Sequence, residues 1–231
     1  MAENFPDFQR IEALFEKKRS IFERFYELLT AYNQRCNLTA ITQKDEVIHK
    51  HFLDSLAGEQ LFPVGANAVE IGSGAGFPSL PLKIVRPDLN MTLVESTGKK
   101  CEFLQAAIRE LGLENVRVLH ARAEELGKGE LRETFGVAFA RAVAPLPALA
   151  EYCMPLVMVG GKFIAYKGAA DELENGKKAI ETFGGKNAVS YRYELPQQYG
   201  TRTLIVAEKG KRTPSAYPRG HGKERSTPIL S

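Results

Sequence analysis

Glu70-Ile71-Gly72-Ser73-Gly74-Ala75-Gly76-Phe77-Pro78 is a glycine-rich turn between a predicted strand, 68–71, and a predicted helix. Glycines at the end of a first strand let the backbone approach a ligand at the carboxyl edge of a sheet. The dinucleotide fingerprint G-x-G-x-x-G would require a glycine at position 77, where Phe77 stands. The turn therefore favours a ligand that has no pyrophosphate.

Short strands and helices alternate on both sides of this turn. Apolar periodicity predicts two N-terminal helices, 8–33 and 45–57, and then the strands and helices of a sheet. Strands separated by helices indicate parallel βαβ units. The last two strands have only a short turn between them and must pair as an antiparallel hairpin. The predicted fold is an α/β, doubly wound, seven-stranded and mostly parallel sheet, with an antiparallel C-terminal hairpin and N-terminal helices. The predicted strands are 68–71, 91–95, 116–119, 135–141, 162–166, 189–195 and 203–207, and the predicted helices between them are 98–111, 146–158 and 171–183.

Composition and length fit a globular protein. The chain has 231 residues, 44% of them hydrophobic and 26% charged. We divide it into an N-terminal helical segment, 1–60, a Rossmann-like domain, 61–208, and a basic, flexible tail, 209–231. No stretch has the roughly eighteen consecutive apolar residues of a spanning helix, so we expect no membrane partner. The chain shows no signal peptide, and three dispersed cysteines form neither a metal pattern nor a disulfide framework, which predicts a cytoplasmic protein.

Positive charge is concentrated at the C-terminus. The last 24 residues hold six Lys or Arg and two acids, whereas the whole chain has a net charge of +3. Such a tail is typical of a nucleic-acid-binding arm. A solubilising, irregular end is the other interpretation, and both remain open at this point.

Acidic residues follow the second and third predicted strands. Glu95 ends the second strand and is followed by Ser96; an acid at this place accepts hydrogen bonds from ribose hydroxyls in Rossmann-like sheets. Ala123 and Glu124 come after the third strand, where an acid and backbone N–H groups can hold an adenine. Glycine turn, ribose acid and third-strand acid, in this order, are the arrangement of a class I S-adenosylmethionine-dependent methyltransferase. The predicted cofactor is S-adenosyl-L-methionine, at the glycines Gly72, Gly74 and Gly76 and at Glu95, Ser96, Ala123 and Glu124.

Several further motifs resemble one bacterial family, the 16S ribosomal RNA guanine-N7 methyltransferases, also called the glucose-inhibited division protein B family. The resemblance runs from about residue 8 to 207. It implies methylation of a guanine in the 530 loop of that RNA, position 527 in the usual numbering, near the decoding region. It also implies methyl-donor contacts at Gly72, Phe77, Ala123, Glu124 and Arg141. The motifs are Asn37-Leu-Thr39, His51-x-x-Asp54-Ser55, the glycine turn, Arg86-Pro87, Ala123-Glu124, Arg141-Ala142 and Tyr166-Lys167-Gly168.

Guanine N7 carries a lone pair and no proton, so methyl transfer to it needs alignment and no base. We therefore assign no catalytic residue and no metal; Asn37, Arg141 and Lys167 are candidates for positioning the base or the RNA. His51, Asp54 and Ser55 lie on one predicted helix, whereas a triad requires groups from different elements, so we expect a packed, hydrogen-bonded helix face.

The expected partner is 16S rRNA, the small ribosomal subunit or an assembly intermediate, and the protein is expected to act as a monomer. Two alternatives remain open. One is a methyltransferase for another RNA or a small molecule, and the other is a non-catalytic RNA-binding module. The basic tail and the lack of an inserted substrate-covering domain favour the rRNA enzyme.

Overall fold

The computed structural model describes residues 5–230. Helix α3, 44–56, is continuous and contains a π-helical turn, Ile48–Leu53, between two α-helical turns. The strands are β1 Asn67–Ile71, β2 Asn90–Glu95, β3 Val116–His120, β4 Phe135–Arg141, β5 Val157–Lys167, β6 Gly185–Glu194 and β7 Thr201–Lys209. The other helices are α1 Phe8–Lys17, α2 Arg19–Cys36, α4 Ser79–Val85, α5 Gly98–Glu110, α6 Ala123–Leu126, α7 Leu146–Cys153, α8 Leu173–Thr182 and α9 Lys223–Ser226.

The seven strands form one sheet in the order β3-β2-β1-β4-β5-β7-β6. Strands β1 to β5 pair in parallel, and β7 pairs antiparallel with both β5 and β6. The predicted doubly wound sheet with an antiparallel C-terminal hairpin is confirmed. The strand order reverses between β1 and β4, and ligands bind at such a switch point, outside the carboxyl ends of the strands.

Four expected elements differ from the structure, and one of them is β6, which starts at Gly185 instead of residue 189. The single helix predicted over 8–33 is two helices, because the backbone leaves helical geometry at Lys18 (φ −116°, ψ 16°). The helix predicted over 146–158 ends at Cys153, and the following strand, β5, starts at Val157 instead of residue 162. Pro155 lies in the short 3₁₀ turn between them, where it cannot donate the backbone hydrogen bond that would continue the helix.

Each face of the sheet carries its own apolar layer, because side chains alternate along the strands. Val137 and Phe139 of β4 belong to one layer, whereas Ala138 and Ala140 belong to the other. The N-terminal helices cover the first layer. Here Phe52 of α3 lies 5.4 Å from the ring of Phe25 and 6.0 Å from that of Phe77, which joins the helices to the glycine turn.

Residues 210–230 pack against the sheet domain, which differs from the expected flexible tail. The buried ammonium group of Lys209 donates to the carbonyl of Met154 and to Thr213, and it lies 3.3 Å from the carboxylate of Glu133. Arg132 donates to the backbone carbonyls of Thr213 and Tyr217. Groups that looked like surface charges in the sequence thus attach the C-terminal segment to the domain.

A fully buried acid stands at the base of the glycine turn. Glu70, on β1, accepts a hydrogen bond from the hydroxyl of Ser79 at the start of α4, and its other carboxylate oxygen has no partner among the described residues. Burial raises the pKa of Glu70 to about 8, and the hydrogen bond from Ser79 opposes part of this shift.

Among residues 5–230, no helix combines the length and the apolar character that crossing a bilayer requires.

Replacing Phe52 with Ala should lower the free energy of unfolding by about 3–5 kcal/mol, because it opens a cavity among four phenylalanine rings. Urea denaturation measures the change. Val64→Ala, at an 89% exposed position, is the control and should cost less than about 0.5 kcal/mol. Equal stability of the two variants would contradict the central place of this ring.

Glu70→Gln should change the pH dependence of stability. The pKa of Glu70 in the folded state lies above its ordinary value of 4.5. The contribution of Glu70 to the free energy of unfolding is therefore complete below pH 4.5 and is lost as the pH rises through about 8. The variant should therefore gain stability relative to the parent between pH 5 and pH 9, measured by urea denaturation at both values. The same substitution at the exposed Glu12 is the control, and a pH-independent difference at position 70 would refute the buried acid.

Candidate functional site

Three cavities border segment 141–144, which starts at the last residue of β4 at the carboxyl edge of the sheet. The segment contributes Val143 to the first cavity and Arg141 to the second, on its other side, and residues 142–144 also line a third, more open cavity of about 640 Å³. Ala142 adopts φ +55°, a left-handed conformation that is uncommon for a residue with a side chain. Such backbone strain concentrates at functional sites. The segment between the cavities is therefore a candidate part of the functional site.

The first cavity measures about 410 Å³ and lies at the ends of β1, β2 and β3. Its walls consist of small and apolar residues, two arginines and one acid. It is lined by Ile71, Gly72, Val94, Ser96, Ala121, Arg122, Ala123, Glu124, Val143, Tyr152, Gly222 and Arg225.

Gly72 shapes this cavity in two ways. Its φ of +69° favours glycine, and a Cβ there would stand 2.6 Å from Cγ2 of Val143. Gly74 has a different task, because its N–H donates to the carboxylate of Glu95 at 2.9 Å. Gly76 is needed for packing, since a Cβ would meet Leu80 at 2.5 Å. Gly72 therefore shapes the ligand cavity, Gly74 binds the carboxylate of Glu95, and Gly76 allows close packing in the core.

The predicted cofactor residues divide into two groups. Ser96, Ala123 and Glu124 line the first cavity together with Gly72. Glu95 lies beside it at the end of β2, where its carboxylate accepts the N–H groups of Gly74 and Thr97. The side chains of Phe77 and Arg141 lie outside this cavity: Phe77 is buried under α3, and Arg141 faces the second cavity.

The second cavity measures about 430 Å³ and lies between α3, the ends of β4 and β5, and the C-terminal hairpin. Four of its residues are cationic. It is lined by Ile41, Lys50, His51, Asp54, Arg141, Ala142, Tyr166, Lys167, Gly168, Glu172 and Arg202.

The guanidinium group of Arg141 is the centre of a hydrogen-bonded cluster in this wall. It donates to the carbonyl of Lys50 at 3.1 Å, to Asp54 at 3.2 Å and to Nδ1 of His51 at 3.1 Å. It also lies over the ring of Phe77, 5.2 Å from the centroid. Nδ1 of His51 also lies 3.0 Å from the carbonyl of Lys50, so this nitrogen faces one donor and one acceptor. The cluster therefore fixes both the guanidinium and the imidazole.

His51 is held in its neutral form. Its Nε2 lies 2.9 Å from the hydroxyl of Thr39, so both ring nitrogens have hydrogen-bonding partners. Burial and the neighbouring charge of Arg141 lower the pKa of His51 to about 3. The sequence interpretation of a packed, hydrogen-bonded helix face agrees with this geometry.

Sequence reasoning missed the part of the wall that the C-terminal hairpin provides. The hydroxyl of Tyr193 donates to Asp54 at 2.9 Å, and Nε of Arg202 lies 3.8 Å from the same carboxylate. Burial raises the pKa of Tyr166 and of Tyr193 well above 10, so both rings remain neutral hydrogen-bonding groups. No spacing signal links residues of a C-terminal hairpin to a helix some 140 positions earlier.

The remaining two candidates have structural contacts. Asn37 is exposed, ends α2 in the left-handed conformation (φ 48°) and lines neither cavity. Lys167 lines the second cavity, but its ammonium group binds the carbonyl of Ala144 and the carboxylate of Glu172, both at 2.9 Å. Through its hydrogen bond to Ala144, Lys167 therefore stabilises the backbone of segment 141–144.

The arrangement can bind two partners next to each other. One site offers small residues, two arginines and one acid, the other offers cations and neutral hydrogen-bonding rings, and segment 141–144 separates them. In the part of the chain that the structure describes, no group of three or more His, Cys, Asp or Glu is placed to hold a metal ion.

Solved structures of similar shape include methyltransferases. An S-adenosylmethionine-dependent O-methyltransferase from Thermotoga maritima superposes with a TM-score of 0.55 at 15% identity, over 80% of this chain and 72% of that one. A tRNA (m1A58) methyltransferase from Aquifex aeolicus gives 0.53 at 18% identity, over 68% of each chain. These likenesses show that the fold is that of the S-adenosylmethionine-dependent methyltransferases.

Relatives of known name are much closer in sequence. A ribosomal RNA small subunit methyltransferase G from Brevibacillus brevis is 43% identical over 94% of both chains. One from Lactobacillus acidophilus is 46% identical, over 94% of this chain and 93% of that relative. The GidB family model, described as rRNA small subunit methyltransferase G, matches residues 18–196. With this match and these relatives, the chain belongs to the GidB family of small-subunit rRNA methyltransferases.

Proposed function

We propose that this methyltransferase takes a methyl group from S-adenosylmethionine in the first cavity and transfers it to N7 of a guanine of 16S rRNA in the second. The observation that carries the proposal is the pair of cavities on either side of segment 141–144, at the switch point of the sheet. The family is one of rRNA methyltransferases, and the cavities divide that reaction into a donor side and an acceptor side.

The residues of the first cavity fit the methyl donor. Gly72 lines this cavity and has no Cβ, which lets Val143 pack against it as part of the cavity wall. Glu95 ends β2, where a carboxylate accepts ribose hydroxyls, and Ala123 and Glu124 follow β3, where backbone and acid can hold the adenine. When bound, the donor supplies an electrophilic methyl group on a sulfonium. The protein's part is to hold that methyl group beside segment 141–144.

The second cavity fits a nucleotide of an RNA chain. Lys50 and Arg202 provide cations for phosphates, while the neutral Tyr166 and the guanidinium of Arg141 form its inner wall. A base must leave its stack to enter such a pocket, which is the common way for enzymes to reach a nucleobase atom. For methyl transfer, a guanine held here would have to extend past Ala142 and Val143 until its N7 contacts the methyl carbon.

Methylation at N7 needs no proton removal by the protein, because this nitrogen has a free lone pair in neutral guanine. The side chains in the acceptor cavity agree with this requirement. His51 is the only imidazole in its wall, and both of its ring nitrogens have partners while its pKa is lowered to about 3. The main source of rate is then the alignment of sulfur, methyl carbon and N7.

The substrate is proposed to be the 530 loop of 16S rRNA, presented as RNA, small subunit or assembly intermediate. The test is methylation of each of these by the purified protein with isotopically labelled donor, followed by mapping of the labelled nucleotide. Label at one guanine of that loop supports the proposal. Label in another RNA or in a small molecule would identify that molecule as the substrate instead. Donor binding without methyl transfer to any of these molecules would indicate a binding module.

A substrate with 7-deazaguanine at the target position should bind but accept no methyl group. This analogue replaces N7 with carbon and keeps the Watson–Crick edge, so only the nucleophile is lost. Single-turnover transfer with ordinary guanine should also show no ionisation between about pH 6 and 9, where a catalytic His or Cys would titrate. Normal methylation of the deaza substrate would exclude N7, and a bell-shaped profile would require an acid–base residue.

Gly72→Ala should weaken donor binding about tenfold or more, because its Cβ would displace Val143 from the cavity wall. Gly65→Ala is the matched control: Gly65 has nearly the same φ of +68°, and a Cβ there meets nothing within 4 Å. Both variants lose about 1–2 kcal/mol from the left-handed conformation, but only the first should bind the donor more weakly. Calorimetry measures both affinities, and equal values would place the donor elsewhere.

A further inference from the structure

We propose that residues 213–230, which we call the strap, form the outer wall of the methyl-donor cavity and retain the adenosine end of the donor. This inference rests on the proposed donor site. The family model matches residues 18–196, so the strap lies outside the part of the chain that this model covers. Its support comes from three sets of contacts between the strap and the sheet domain.

The strap is anchored by a buried ion pair. Glu151 of α7 is 1% exposed, and its carboxylate accepts Nη2 of Arg219 at 2.7 Å and Nε of Arg219 at 2.9 Å. The backbone N–H of Arg219 donates to the same carboxylate at 2.8 Å. A charge-assisted, two-pronged contact of this kind fixes position as well as distance. The strap is therefore held at one place on α7, beside the first cavity.

The turn after Arg219 is held in shape by the strap itself. The carboxylate of the buried Glu224 accepts the N–H of Gly220, and the ammonium of Lys128 donates to the carbonyl of Arg219 at 3.1 Å. These contacts place residues 220–222 beside Arg122 and Glu124, at the carboxyl end of β3. In the proposed donor site this is the adenine end.

Gly222 and Arg225 then line the donor cavity directly. The guanidinium of Arg225 donates to the carbonyl of Val143 at 3.0 Å and also interacts with the hydroxyl of Tyr152, another lining residue. The strap thus reaches from the end of β3 to the segment that separates the cavities. A donor in this cavity would have the sheet edge on one side and the strap on the other.

The pairing of the basic groups also bears on the RNA-arm interpretation of the tail. Of the three Lys or Arg residues in the strap, Arg219 and Arg225 bind groups of the domain, and the exposed Lys223 makes no side-chain hydrogen bond with the described residues. Two of the three thus hold the strap in place, and we assign it primarily to the donor site.

The test compares Arg225→Ala with Lys223→Ala in the full chain. Both variants remove one cation from the same short helix, but the side chain of Lys223 makes no hydrogen bond or ion pair with the described residues. Calorimetry with S-adenosylmethionine and S-adenosylhomocysteine gives the affinities, and stopped-flow displacement gives the dissociation rates. Arg225→Ala should weaken both ligands at least fivefold, mainly through faster dissociation, whereas Lys223→Ala should stay within twofold of the parent.

A second variant, Arg219→Gln, releases the anchor without touching the cavity lining and should accelerate dissociation in the same way; thermal melting of each variant checks that it is folded. The loss should persist with 5′-methylthioadenosine, which keeps the adenosine and methylthio parts of the donor and lacks its amino-acid part. Unchanged affinity and dissociation rate in both Arg225→Ala and Arg219→Gln would contradict the proposal that the strap retains the donor. Weaker binding only of ligands that carry the amino-acid part would contradict the placement of the strap at the adenosine end. Absence of donor binding by the parent protein would instead overturn the proposed function.

Discussion

The guanidinium of Arg141 determines how the helical N-terminal segment meets the sheet. It stands at the last residue of β4 and binds α3 through a backbone carbonyl, a carboxylate and an imidazole. Removing one partner from a desolvated group of charges is costly, because the remaining charge is left without compensation. Since Arg141 is followed directly by the strained Ala142, the same contacts fix the backbone that both cavities share. The position of the acceptor wall and the shape of the donor wall are therefore coupled through a single side chain.

The two cavities are built from different parts of the fold. Parallel strands end at the same edge, so β1, β2 and β3 bring Gly72, Ser96 and Glu124 together without help from other elements. The acceptor cavity depends on α3 and on the antiparallel hairpin, which contributes Arg202. A common sheet thus provides the donor side, while the N-terminal helices and the hairpin give this chain its own acceptor side.

Sequence reasoning predicted the parallel strands, the glycine turn and the lining residues at the ends of β2 and β3, because each of these is set by local periodicity and strand order. It could not place Phe77, whose ring packs under α3, since the glycine spacing reports backbone conformation and not side-chain direction. It also left the role of the tail open, because the sequence shows the positive charge of Arg219 but not whether its partner is a phosphate or the buried Glu151. Contacts between residues far apart in the chain, such as Tyr193 with Asp54, have no local signature.

The π-helical turn in α3 has a consequence for the length of this helix. Its wider ring lets the N–H of Asp54 bond to the carbonyl of His49, five residues back, so the carbonyl of Lys50 can serve as an acceptor for Arg141. Deleting one residue from this turn would restore ordinary α-helical winding and leave the flanking residues on nearly the same faces, because the wider ring accommodates one extra residue. The carbonyl of Lys50 would then be bonded within the helix, and Arg141 would lose this acceptor. Homologous chains that keep this contact should therefore tolerate substitutions in the turn better than deletions.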